Sequence, residues 1–188
     1  MRSTLKIQAR FALAACAIVT SFAGAQSPAK ARAAQTIPAH DVWADPFTNL
    51  IWAASDNGKD VSWRGAAKYC RNLRLAGYSD WRLANIAELQ GIYDKSANAP
   101  GLAGPHDDDP VTWHVRGNLF LTGDQWSAND ILDDRGKHSG YAYFFDFNEG
   151  KPNDDPTGWP YPYQFRRALC VRGTGDPLAW QRKRAQSK

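Results

Sequence analysis

The sequence predicts an α+β fold, and three observations carry that reading. Trp63, Ala66, Ala67, Cys70 and Leu73 recur at the spacing of one helix face. Asn85-Ile86-Ala87-Glu88 has the pattern in which a polar cap and a Glu three residues on satisfy each other's backbone donors, so a second helix should start there. Short β-type runs lie before and after this pair. The order is therefore an N-terminal hairpin, two helices, and then a small antiparallel sheet with long loops.

The chain opens with a segment that does not belong to the fold. Arg2, Lys6 and Arg10 precede an apolar run from Phe11 to Phe22, and Ala23-Gly24-Ala25 offers the small residues a signal peptidase reads. Residues 1–25 are expected to be a signal peptide, removed on export to the periplasm or the cell exterior. The apolar run is 12 residues long, where a membrane span needs roughly 20, so the mature chain should have no span. Leu13-Ala14-Ala15-Cys16 resembles a lipoprotein cleavage box, but Arg10 sits too close to Cys16 for a good apolar core, which makes lipidation the less favoured route. Residues 26–39, rich in Ala, Ser, Lys and Pro, read as a linker. Residues 40–173 form one domain, and residues 174–188, with Arg182, Lys183, Arg184 and Lys188, read as a basic flexible tail.

Without the leader the chain keeps 20 Lys+Arg against 19 Asp+Glu. A nearly neutral domain gives nucleic-acid binding no support. Only Cys70 and Cys170 remain as well, and in an oxidising compartment a single bridge is the economical reading, with two buried free thiols as the alternative.

Within the domain, Asp41 to Ala44 and Leu50 to Ala53 flank the turn-forming Asp45-Pro46-Phe47-Thr48-Asn49, which predicts a hairpin. Ser62 should cap the first helix, and Gly77 should turn the chain beyond its end. Arg64, Lys68, Arg71 and Asn72 fall mostly off the apolar stripe. Ile86, Leu89 and Tyr93 of the second helix should face the core. From Ser96 to Asp109 the chain is rich in Pro, Gly and Asp and reads as a long loop. Strands should follow at 117–122, 125–128, 141–147 and 165–171.

Trp52-Ala53-Ala54, Val61-Ser62-Trp63 with Ala67 and Cys70, Leu75-Ala76-Gly77-Tyr78-Ser79-Asp80-Trp81-Arg82-Leu83, Glu88-Leu89, Trp126-Ser127, Phe145-Asp146-Phe147 with Gly150, and Cys170-Val171-Arg172 together resemble the successive motifs of the Lcl C-terminal domain family. That family takes its name from the last domain of a collagen-like bacterial adhesin and was long classed as a domain of unknown function. The resemblance implies a C-type-lectin-like fold in which a cysteine on the first helix is joined to one on the last strand, the same Cys70–Cys170 pairing. Ala84 stands where the family has Pro after Trp-Arg-Leu, and the chain has no collagen-like Gly-X-Y region.

Trp81, Arg82, Leu83 and Glu88 read as scaffold, because an Arg between helices bonds a carboxylate or carbonyls while its apolar neighbours fill the core. Recognition residues belong on irregular loops held by that scaffold. Two acidic, aromatic loops fit: Pro105 to Trp113, with Asp107 and Asp109, and Asn148 to Tyr163, with Asn153, Asp154, Asp155, Trp159, Tyr161 and Tyr163; Asp130, Asp133 and Asp134 form a third group. Carboxylates and amides beside exposed rings suit hydrogen bonding and stacking on sugars. They also suit Ca²⁺ ligation, although no specific motif supports Ca²⁺ and no cofactor is expected. A solvated acidic surface and ring packing inside the loop are the plainer alternatives.

Nothing supports catalysis: HExxH, GxSxG and Gly-rich phosphate loops are missing, and His40, His106, His114 and His138 lack metal-ligand spacing. The expectation is an exported, non-enzymatic, adhesin-like protein that binds glycans or matrix polysaccharides. A protein–protein module of a periplasmic or cell-surface assembly is the alternative.

Overall fold

The computed structural model of the chain describes residues 41–103, 109–117, 119–158 and 165–187. The expected signal peptide and linker lie outside them. The expected hairpin forms as β1 (Val42–Ala44) and β2 (Ile51–Ala53), followed by α1 (Trp63–Asn72), β3 (Arg82–Leu83) and α2 (Ile86–Ile92). Ser62 caps α1 by accepting the Gly65 N–H, Gly77 turns the chain at φ +80°, and the Asn85–Glu88 capping box starts α2.

The segments expected to be loops contain strands. Residues 96–109 hold most of a hairpin, β4 (Ala99–Ala103) with β5 (Asp109–Trp113). The expected strand at 117–122 is reduced to one bridge, Phe120 with Ser55. Then come β6 (Asp124–Leu132), β7 (His138–Asp146), β8 (Lys151–Pro156), β9 (Arg166–Arg167) and β10 (Cys170–Arg172). The supposed loop from Asn148 thus begins with a strand paired to β7 over its whole length. Proline density pointed the wrong way here: β8 is an edge strand, and Pro152 and Pro156, an even number of residues apart, can both point their missing donor away from the ladder. Prolines on such an edge also discourage pairing with a further strand.

Two four-stranded sheets, in the orders β1-β2-β10-β3 and β8-β7-β6-β9, and the β4-β5 pair make up the sheet structure of the described residues. All pairs are antiparallel except β6 with β9. The first sheet is covered on both faces. Neighbouring residues of a strand point to opposite sides, so Trp52 and Val171 enter a core with Leu89, Ile92 and Phe145, while Ala53 and Cys170 enter a second core with Ala66, Trp81 and Trp126. β7 is shared the same way, with Phe145 in the first core and Phe144 in the second.

Cys70 on α1 is joined to Cys170 on β10. The bridge closes a separation of 100 residues, which stabilises the fold by about 4–5 kcal/mol on the chain-entropy account. Trp81 is 3% exposed, and Arg82 donates two hydrogen bonds to the Glu88 carboxylate at 2.8 and 2.6 Å, the scaffold role expected of them.

The C-terminal segment is not a free tail. It forms α3 (Ala179–Gln186), which the sequence conceals because the helix is almost entirely polar and has no apolar stripe. It is held instead by a few specific contacts. The Trp180 ring lies 4.7 Å from that of Phe47 and covers the buried Arg116 guanidinium, which is paired with Asp45. Arg184 pairs with Asp94. Glycine permits the docking: a Cβ at Gly91 would run into the Pro177 carbonyl, and one at Gly175 into that of Thr48.

Candidate functional site

α1 has two chemically opposite sides. Ala66 and Cys70 are buried, and Trp63, Ala67 and Leu73 pack beside them. Arg64, Lys68 and Arg71 recur at i, i+4 and i+7 on the solvent side, all exposed, with exposed Lys59 before the helix and exposed Arg74 after it. Such a stripe runs about 10 Å along the helix. None of these five cations has an ion-pair partner among the described residues. Arg74 bonds only backbone carbonyls, of Arg71 and Leu73.

The nearby carboxylates are occupied elsewhere. Asp60 pairs with the fully buried Arg167. Asp56 is itself buried, where it accepts hydrogen bonds from Thr122, Gln125 and the Gly58 N–H, and burial raises its pKa despite those bonds.

A surface groove of about 480 Å³ runs along this side of α1, with Lys59, Lys68 and Arg74 among its lining residues and Asn57, Asn72 and Tyr69 supplying neutral polar groups. Partial burial, with Asp56 adding to it, raises the Tyr69 pKa, so its phenol stays a neutral donor at physiological pH. The groove presents cations, amides and a hydroxyl to solvent with no competing acid. The signal was present in the sequence as the i, i+4, i+7 spacing of bases within Val61 to Ser79, a stretch with no Asp or Glu. Sequence reasoning noted those bases only as residues off the apolar stripe.

The residues singled out in advance are dispersed. Asn153, Asp154 and Asp155 lie on β8 and alternate sides. Asn153 and Asp155 sit opposite Phe144 and Ala142, whose side chains are buried, and Asp155 is in ion-pair range of Arg166. Asp154 is exposed opposite Tyr143. Asp109 begins β5. Asp107, Trp159, Tyr161 and Tyr163 lie outside the described residues. Asp130 is bonded to His138, whose ring stacks on Trp63 and whose other nitrogen contacts Thr157. Asp133 accepts the Arg135 and Lys137 N–H groups at the β6–β7 turn. No three His, Cys, Asp or Glu side chains among the described residues are grouped to hold a metal ion.

A second exposed patch comes from β7. Tyr141 and Tyr143 are 45% and 38% exposed and lie two residues apart, opposite Pro156 and Asp154 respectively. Both lie in the expected strand at 141–147, to which sequence reasoning gave no binding role.

No helix among the described residues is long and apolar enough to cross a membrane. No curated protein matches the chain. Residues 41–172, well over half of the 188, match the family model of the Lcl C-terminal domain, from the residue before β1 to the last of β10. The chain therefore belongs to the Lcl C-terminal domain family.

Proposed function

We propose that this is an exported, non-enzymatic binding module that recognises anionic polysaccharides through the basic side of α1. The observation that carries the reading is the row Lys59, Arg64, Lys68, Arg71 and Arg74, exposed and without an ion-pair partner among the described residues, of which Lys59, Lys68 and Arg74 line a groove that also offers amides and a phenol. One exposed ion pair contributes only about 0.2–1 kcal/mol, which is too little to hold a small anion. A polymer that repeats its charge engages several cations at once and gains by multivalency. The leader-like N-terminus leads us to place the protein in the periplasm or outside the cell, where acidic polysaccharides are the abundant polyanions.

We also read the fold as C-type-lectin-like. Supporting this are the bridge from the first helix to β10 and the small sheets that carry long connections.

A second reading, a protein–protein module of a surface or periplasmic assembly, is favoured by one observation. Tyr141 and Tyr143 form an exposed aromatic pair on a sheet face, the composition of an interface core.

Immobilised dextran sulfate and neutral dextran separate the two. Retention on dextran sulfate alone, eluted by salt as screening shortens the reach of each charge, supports the first. Equal indifference to both polymers sinks it.

A further inference from the structure

A cavity of about 480 Å³ opens where α3 meets α2 and the β7–β8 turn. Four of its lining residues, Leu178, Trp180, Gln181 and Arg184, lie beyond the stretch that matches the family model. The cavity is thus a feature of this chain's own C-terminal helix, and it is separate from the α1 groove in every lining residue.

Its walls are mainly apolar and aromatic: Tyr93, Phe145, Trp180 and Leu178. The rings are held in place. Tyr93 packs edge-on against Phe145 with centroids 6.0 Å apart, Trp180 is clamped by Phe47 and Arg116, and a Cβ at Gly150 would strike the Tyr93 ring. The size falls in the range of small-molecule sites, about 300–1,000 Å³.

The polar groups are few and have definite states. Asp94 and Arg184 neutralise each other, and burial of Asp94 is outweighed by bonds from Ser96 and Arg184, so its pKa is lowered and it stays an anion tied to its partner. Lys95 is exposed and has no ion-pair partner among the described residues, which leaves one uncompensated positive charge at the cavity. Gln181 donates its Nε2 to the Gln90 carbonyl, an acceptor, and this fixes the amide so that Oε1 is the free end. That oxygen is buried, and no donor among the described residues reaches it. A buried acceptor left unpaired is destabilising, a cost that a ligand N–H or O–H would remove.

We propose that the cavity binds a small planar aromatic carboxylate whose ring carries an N–H or O–H donor. The ring lies against the Tyr93 and Trp180 walls, with the fully buried Phe145 packed behind Tyr93, the carboxylate reaches Lys95 at the exposed side, and the ring donor bonds Gln181 Oε1 as that buried amide turns toward the cavity. A sugar fits poorly, because the walls supply too few partners for its hydroxyls. A cation fits poorly, because the one carboxylate present is already neutralised.

Indole-3-acetate is the probe, followed by titration calorimetry and saturation-transfer NMR on the full chain. It should bind more tightly than phenylacetate, which lacks the donor, than indole, which lacks the carboxylate, and than octanoate, which lacks the ring. Lys95→Gln should weaken indole-3-acetate about tenfold and leave indole unchanged, while Gln181→Leu should weaken indole-3-acetate and leave phenylacetate unchanged. Neutralising Arg64, Lys68 and Arg71 should leave all four affinities unchanged, which separates this site from the polysaccharide reading. The proposal is overturned if indole-3-acetate does not bind, if octanoate binds as well as it does, or if neither single substitution discriminates between the probes.

Discussion

The two sides of α1 are made from the same ten residues and obey different rules. On the inner side the residues are small and apolar, and Cys70 pins the helix to β10. On the outer side, bases recur every turn without a single acid to pair them. Like charges at i and i+4, as Arg64 and Lys68 are, destabilise a helix by a few tenths of a kcal/mol. The outer side therefore carries a small energetic cost that the inner side offsets, an arrangement that makes sense if an anionic partner supplies the missing charges. On the proposed function, stability lives on one face and recognition on the other, so substitutions on the two faces should have separable effects.

The largest effect is expected deep in the core that the inner face joins. Trp81→Ala should cost roughly 3–5 kcal/mol by leaving a cavity between α1 and the sheets, measured by chemical denaturation. A loss below about 1 kcal/mol would mean that Trp81 does not support that core.

Next comes the bridge. Cys70→Ala should cost about 2–5 kcal/mol, and a digest without reductant should yield a linked Cys70–Cys170 peptide. Free thiols at both positions in the native protein would remove the anchor from the inner face.

A smaller effect tests a charge away from α1. Burial pushes the Asp124 carboxyl up from 3.8 to about 7, although Arg166 pulls it down. Between these values the folded state holds a proton that the unfolded state has released, so the stability this one group contributes is fully present below pH 4 and is lost as the pH rises from 4 to 7. Asp124→Asn should flatten that slope in thermal unfolding. A slope unchanged by the substitution would show that Asp124 does not titrate in this window.

The legible parts of the fold were those set by local chemistry. Ser62 and Asn85 cap their helices through their own neighbours, the Cys70 stripe repeats at 3.6 residues, and two cysteines in one domain leave one pairing. The illegible parts depend on distant partners. β8 is a strand because β7 lies beside it, whatever its prolines and aspartates favour alone. α3 is fixed by Phe47, Arg116 and Asp94, between 64 and 133 residues away in sequence from the residues they touch, and not by a face of its own. The candidate site was harder still. Acidic loops drew attention by composition, yet Asp155 lies in ion-pair range of Arg166 and Asp130 is bonded to His138. The bases of α1 were visible, but only the structure shows that no carboxylate among the described residues pairs with them.

The most direct measurement is the triple variant Arg64→Gln, Lys68→Gln, Arg71→Gln, compared with the parent chain in thermal unfolding and in binding to dextran sulfate. Gln matches Lys and Arg closely in helix propensity, so stability should stay within about 0.5 kcal/mol of the parent. Binding and its salt dependence should be lost together. Retained binding to dextran sulfate in a variant that folds normally would contradict the assignment of recognition to this face.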